Sequence, residues 1–368
     1  KRQALAEAEL EYPEGHTSPS IYAAFTVTKL GEGATALQEY LPNLNVAIWT
    51  TTPWTIPGNL AVAVNGDLEY AVVVGNFQGT SPQYVIVAKD LVEKLSATLE
   101  TELEIKTVVL GKALENTTYR HPLFDRESPV VIGGDYITTE SGTGLVHTAP
   151  GHGQEDYITG QKYGLPILSP VDDGGKFTDE AGSFSGLQVV AKGNEKVSEG
   201  NQAIIDALTE AGALLKHEEY AHKYPYDWRT KKPTIFRATE QWFASVEGFR
   251  DNALDAIKSV TWIPAAGENR ITPMVSDRSD WCISRQRFWG VPITLLVHKD
   301  TQELHPDTLE IMEKVAQGME KEGIEYWHRV TAEELIGDDA SDYDKTTDTL
   351  DVWFDSGTTH FSVLDKDE

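Results

Sequence analysis

One cysteine, Cys282, stands among 368 residues. That scarcity excludes an internal disulfide and a cysteine-based zinc site, and it suits a reducing compartment. No apolar run approaches the roughly 20 residues that a membrane helix needs. The nearest, residues 291–297, has the length of a core strand. Positive charge is also scarce: 31 Lys and Arg face 58 Asp and Glu, a net charge of −27. Loose, charge-driven binding to nucleic acid is therefore disfavoured. The sequence has no initiating methionine and no basic-then-apolar leader. It opens on Lys1, Arg2, Gln3 and Ala4, and reads as a piece of something longer.

What is present describes a globular protein. Apolar residues make up 40% and aromatics 9%, enough for a core and, at this length, for two domains. Charge is uneven. Residues 1–222 carry a net of −16, residues 223–300 a net of +3, and residues 301–368 a net of −14. Only the middle block, with Arg229, Lys231, Lys232, Arg237, Arg278, Arg285 and Arg287, would welcome a phosphate backbone; ordinary surface charge explains it equally well.

The first half reads as strand after strand. Apolar, β-branched stretches lie at residues 21–27, 45–50, 60–64, 70–74, 84–88, 107–110, 130–132 and 145–148. Asn65, Gly66 and Asp67 read as a hairpin turn between two of them. So many short strands do not fit a βαβ wrap, and the expectation is a compact, mostly β unit with a few helices. Helices are expected from Asp90, after a cap at Asn201, over residues 241–258, and along the stripe Leu309, Met312, Val315 and Met319. Residues 293–297 read as a further strand, and residues 220–233 as a crossover between domains.

Three stretches carry chemistry. Residues 49–59, WTTTPWTIPGN, run a strand into a loop fixed by Pro53 and Pro57. Thr50, Thr51 and Thr52 offer three hydroxyls, each able to donate and accept, suited to a small polar ligand or a held water. The plainer reading is that threonine is simply a good strand residue. Residues 142–157, GTGLVHTAPGHGQEDY, hold two histidines and an acidic pair on a glycine-rich loop. A phosphate cradle lacks its Lys-Ser/Thr ending. A metal site on His147, His152 and Asp156, a polar wall in which His147 orients a water and Asp156 receives a cation, and plain turn chemistry all remain open. Residues 281–293 pack Trp281, Arg285, Arg287 and Trp289 closely; arginine planes can stack on bases and pair with phosphates.

These three stretches, followed by Asp351, Val352, Trp353, Phe354, Asp355, Ser356 and Gly357, occur in this order in the isoleucyl-tRNA synthetases, which the chain resembles over essentially its whole length. The resemblance implies an α/β architecture: a Rossmann-type class I core, only partly present, interrupted by a mostly β, barrel-like α+β editing domain. Residues 1–11 would connect from the missing first half of the core. Residues 12–223 would be the editing insert, and residues 224–368 partial core with an inserted helical, acidic subdomain. The His-Ile-Gly-His and Lys-Met-Ser-Lys-Ser signatures that position ATP are absent from the sequence, so this stretch is not expected to activate an amino acid alone.

What the resemblance implies for function is a hydrolase that removes valine wrongly attached to the isoleucine tRNA. One methylene separates the two amino acids and is worth only about 1–3 kcal/mol, a magnitude long established for this very pair. Asp156 would take the substrate ammonium. His147 with Thr50, Thr51 and Thr52 would form the wall that stops isoleucine. Thr51, Thr52 and Asn59 match positions for the terminal adenosine and the attacking water. Trp353 would line the isoleucine pocket of the core, and Arg285 and Arg287 would meet tRNA. Neither a covalent nucleophile, a cofactor nor a metal is expected for editing; ATP with magnesium would serve the full-length synthetase. Expected partners are the acceptor end of the isoleucine tRNA and valine or isoleucine, with no membrane, for a cytoplasmic monomer whose source, organelle or not, is left open. Two other classes remain: a module that grips the acceptor end without cutting, and a metal-dependent hydrolase built on His147 and His152.

Overall fold

The structure, a computed structural model, describes residues 4–5, 9–77, 82–191, 196–278 and 280–365. Its contacts divide the chain into two compact units, residues 7–238 and residues 1–6 with 239–368.

The larger unit is built of strands β1 (Leu10–Glu11), β2 (Thr17–Lys29), β3 (Leu44–Thr50), β4 (Ala61–Val64), β5 (Glu69–Gly75), β6 (Gln83–Ala88), β7 (Glu104–Leu110), β8 (Thr118–Arg120), β9 (Glu127–Ile132), β10 (Leu145–Thr148) and β11 (Leu214–Ala221). Helices α1 (Val92–Thr98), α2 (Gln154–Lys162) and α3 (Glu199–Glu210) accompany them. Six strands close on themselves in the order β2, β8, β9, β4, β10, β3 and back to β2. The ring is mixed: β4–β9 and β3–β10 are parallel, and the other four pairings antiparallel. This is the mostly β, barrel-like unit expected from the sequence. Closure leaves none of the six with a free edge over the paired registers.

The long strand β2 makes the closure. It pairs β11 over residues 17–23, β3 over residues 21–26 and β8 near its end. Ile21, Tyr22, Ala23, Ala24 and Phe25 are buried in succession instead of alternately, as in a strand covered on both faces, and they share one core with Ile204, Ile205 and Leu208 of α3. Phe25 lies 5.5 Å from the Tyr119 ring and 6.0 Å from that of His121, in the core beneath the site. Truncating Phe25 to alanine would cost about 3–5 kcal/mol. A parallel β3–β6 pairing extends the sheet to β5 and β7.

Several sequence expectations change in this unit and the next. Residues 65–67 do turn, with Asp67 N–H donating to Asn65 Oδ1 at 3.1 Å, but β4 and β5 do not form a hairpin. Both edges of β4 are already taken by β9 and β10, so β5 must pair elsewhere. Asn201 does not cap α3; Ser198 does, accepting the Asn201 N–H at 3.2 Å. Residues 241–258 are not one helix: strand β14 (Phe243–Ala244) precedes α4 (Arg250–Ser259).

Two short strands, β12 (Tyr226–Asp227) and β13 (Lys232–Pro233), form a small sheet with β1 inside the larger unit. The smaller unit holds β14 against β15 (Trp281–Cys282), β16 (Ser284–Arg285) against β19 (Thr349–Leu350), and β17 (Leu296–His298) against β18 (Tyr343–Lys345). The strand expected at 293–297 is thus only its last part, carried one residue further. Its helices include α5 (Ala266–Ser276) and α6 (Thr308–Glu322). Only half of the expected α6 stripe is core: Val315 is buried and Met319 packs beside it, whereas Leu309 and Met312 are exposed, and Ile311 takes the inward place against Leu296, Trp327 and Val330. Among the described residues, no helix is long and apolar enough to cross a membrane.

Candidate functional site

Strands β3 and β10 run parallel with Val146 opposite Trp49, so their ends deliver residues 50–52 and 147–149 to the same place. After β3 the two prolines set a 3-10 turn over Pro53–Gly58, and the chain returns through β4, antiparallel to β10, with Val62 opposite His147. Gly144 takes φ +77° at the start of β10, and a Cβ there would lie 2.3 Å from the Ala88 Cβ, so only glycine fits. The result is a cavity of about 290 Å³ lined by Trp49, Thr50, Thr51, Thr52, Thr55, Val146, His147, Ala149, His152 and Asp156. The threonine run and the glycine-rich loop, a hundred residues apart in sequence, thus share one cavity.

The hydroxyls are not equivalent. Thr50 Oγ1 accepts the Thr52 N–H at 3.1 Å and lies 3.2 Å from Thr52 Oγ1. Among the described residues the Thr51 hydroxyl makes no hydrogen bond to protein, and it is half-exposed on the cavity wall. Thr55, which the sequence reading passed over, also faces the cavity; its hydroxyl donates to the Thr52 carbonyl at 2.8 Å.

His147 is buried and bonded at both nitrogens, Nε2 to Thr55 Oγ1 and Nδ1 to Asn59 Nδ2, each at 2.8 Å. Burial, with the neighbouring His121 and His152, pushes its pKa down to about 3, so the ring is neutral at working pH. With both nitrogens engaged it has no lone pair for a metal, and the metal reading of the glycine-rich loop loses its first ligand. His152 donates from Nδ1 to the Phe236 carbonyl at 2.9 Å, and burial lowers its pKa to about 4.

Asp156 sits in the first turn of α2, where the helix N-terminus favours a carboxylate. Its Oδ2 accepts the Ala149 N–H at 2.9 Å. Burial nonetheless raises its pKa to about 6, with Glu155 adding to the shift and the Ala149 bond opposing it. Among the described residues it is the cavity's one carboxylate and has no cation beside it, and a half-buried carboxylate so placed is a ready acceptor for one.

Four expected site residues stand elsewhere. Asn59 does not line the cavity: it has no exposed surface, and its amide bonds Ala61 O, His147 and Tyr119. Arg285 is tied to Asp351 at 2.8 Å with its side chain 13% exposed, and donates to the Cys282 and Ser284 carbonyls. Those bonds take the guanidinium that was expected to meet tRNA. Arg287 is half-buried nearby in sequence. Trp353, at the start of the short helix Val352–Gly357, is 72% exposed, and the described residues do not enclose it.

The loop beneath the cavity is held from outside. Trp54 N–H donates to Asn201 Oδ1 at 2.9 Å, which is what Asn201 does in place of capping. His121 Nε2–H donates to the Ile56 carbonyl at 2.9 Å, and Arg126 to the Pro57 carbonyl at 2.8 Å. No sequence signal marked Tyr119, His121 or Arg126, because each acts through backbone or through another side chain.

The family model described as tRNA synthetases class I (I, L, M and V) matches residues 1–368. Among curated proteins, the chain is 64% identical over 374 residues to the isoleucine–tRNA ligase of Nostoc sp., covering 99% of this chain and 38% of that protein. It is 63% identical over 372 residues to that of Nostoc punctiforme, with 99% and 38% covered. To that of Rippkaea orientalis it is 62% identical over 374 residues, with 100% and 38% covered. The chain thus spans about 38% of the length of these relatives. Among solved structures it is similar to one described as the crystal structure of GlLeuRS-CP1, at 16% identity and a TM-score of 0.41, covering 56% of this chain and all of that one.

Proposed function

The chain belongs to the class I tRNA synthetases of the isoleucine, leucine, methionine and valine group, and from that premise we propose that its larger unit hydrolyses valine from mischarged isoleucine tRNA, within an isoleucine–tRNA ligase. The observation that carries this reading is the cavity at the ends of β3 and β10, where one half-buried carboxylate shares the wall with a set of threonine hydroxyls.

The substrate ammonium binds Asp156, whose raised pKa falls again once a cation neutralises the burial cost. The short aliphatic side chain lies against Trp49, Val146 and the ring of His147, a rigid wall because both ring nitrogens are tied. Water, held by the untied Thr51 hydroxyl, adds to the ester carbonyl. The carbon–oxygen bond to the ribose then breaks, giving free valine and an uncharged tRNA end. An aminoacyl ester is already activated, so holding water and ester together supplies most of the rate. Neither cofactor nor metal takes part; ATP and magnesium belong to the ligase reaction of the full-length enzyme. The tRNA acceptor end, with valine or isoleucine, is the proposed partner of a cytoplasmic monomer.

Release of valine from valyl-tRNA(Ile), with isoleucyl-tRNA(Ile) as control, tests the proposal. Selective release of valine supports it. Equal hydrolysis of both, or of neither at high protein concentration and low salt, overturns it.

A further inference from the structure

The hydrogen bonds behind the cavity decide where one proton sits. The Ala61 carbonyl can only accept, so it takes an N–H of the Asn59 amide, at 2.9 Å. The Tyr119 hydroxyl donates to Asn59 Oδ1 at 2.6 Å, fixing the other end. The second N–H of the same amide then points at His147 Nδ1, 2.8 Å away, and that nitrogen must be bare. The far side of the ring gives the same answer independently. Thr55 spends its hydroxyl proton on the Thr52 carbonyl at 2.8 Å, so its oxygen can only accept from His147 Nε2, at 2.8 Å.

Thr55, His147 and Asn59 therefore make the hydroxyl–imidazole–third-group line that activates nucleophiles elsewhere, but with every proton pointing the opposite way. An imidazole that carries its proton on the nitrogen facing the hydroxyl cannot take another from it.

We propose that Asn59, oriented by Tyr119, is a positioning residue that holds His147 in the tautomer with its proton on Nε2, and so keeps Thr55 from attacking the ester. This rests on the hydrolytic reading of the cavity and deepens it: the reaction is left to water because Thr55, the cavity hydroxyl bonded to an imidazole, is held as an acceptor. The buried Tyr119 has no contact with the cavity; it acts through the amide alone.

The test is long-range proton–nitrogen NMR of the chain labelled with 15N-histidine, with the His147 ring assigned through its backbone. In the wild type, Nε2 is expected protonated and Nδ1 bare. Asn59→Asp offers Nδ1 an acceptor in place of a donor, and the proton is expected on Nδ1. With Nε2 bare, the Thr55 hydroxyl can pass its proton to the ring and attack the ester, so a valyl ester on Thr55 is expected in quenched intact-mass spectra of Asn59→Asp and not of the wild type. A wild-type proton on Nδ1, or an Asn59→Asp protein whose Nδ1 stays bare, overturns the proposal. Should Asn59→Asp not fold, Thr55→Val decides. A proton that remains on Nε2 supports Asn59 as its determinant, and one that moves to Nδ1 overturns it. Failure of the hydrolytic reading would instead appear as no valine release by the wild type, whereas the nitrogen spectra answer the present question in either case.

Discussion

The Asp156 carboxylate accepts the Ala149 N–H at 2.9 Å and has its pKa raised to about 6 in the same cavity. One oxygen is thus anchored to the loop while burial leaves the group short of positive charge. Asp156→Asn keeps an acceptor for Ala149 and removes only the charge. Loss of a desolvated partner costs about 2–5 kcal/mol. The expected result is a KM for valyl-tRNA raised at least ~30-fold with the fold unchanged, read by steady-state deacylation and circular dichroism.

The same raised pKa sets a pH dependence. The carboxylate must be charged to take an ammonium, so kcat/KM is expected to rise with pH through about 6 and to fall below it. In kcat, which reports the occupied site, the inflection moves lower because the bound cation favours the charged form. A pH–rate profile flat between 5 and 7 would remove Asp156 from the ammonium role.

His147→Ala is expected to admit isoleucine and to begin hydrolysing isoleucyl-tRNA(Ile), since the wall disappears. It also leaves one N–H of the Asn59 amide without its acceptor, at a cost of about 1–3 kcal/mol if unpaired. Comparing deacylation of the two charged tRNAs, alongside urea unfolding, separates the specificity effect from the loss of stability.

Stability itself should fall in acid. His121, His147 and His152 have pKa values lowered to about 4, 3 and 4, so the folded state keeps them neutral where the unfolded state protonates them below about 6.5. Asp156 works the other way, holding a proton in the folded state between about 6 and its ordinary 3.8. Near pH 5 the unfolded state therefore binds about two more protons over these four groups, and stability drops by roughly 2–3 kcal/mol per pH unit as pH falls. Urea midpoints at pH 7 and pH 5 check the sign. Equal midpoints would refute it.

Arg285→Ala is expected to destabilise the smaller unit without changing the salt dependence of tRNA binding. Its guanidinium is committed to Asp351, and removing one partner of a buried pair costs about 3–5 kcal/mol. A shallower slope of binding affinity against salt in the variant would instead mark a phosphate contact.

Much of this was legible from residue order. The threonine run and the glycine-rich loop were recognisable as words, and strands 145–148 and 45–50 were read nearly to the residue because their apolar runs are bounded by glycine and proline. Pairing was not legible. Residues 65–67 carry a hairpin signal, yet the edges of β4 belong to strands about 70 and 80 residues further on, and no local pattern reports that. Asn59 looked like a ligand group because its motif neighbours line the cavity. Only burial and the three partners of its amide reveal that it faces inward. Tyr119 had no signal at all, for a tyrosine on a strand is an ordinary core residue until its hydroxyl is traced.

The pairing of Leu10 with Asp227 has one more consequence. Antiparallel partners sit about 5 Å apart, so a residue near the start of the larger unit and one near its end are held side by side. A segment cut at such a pair can be spliced into a surface loop of a host with little stretch, or closed on itself by a short linker and reopened elsewhere. The small sheet of β1 with β12 would then be the clasp of a portable cassette.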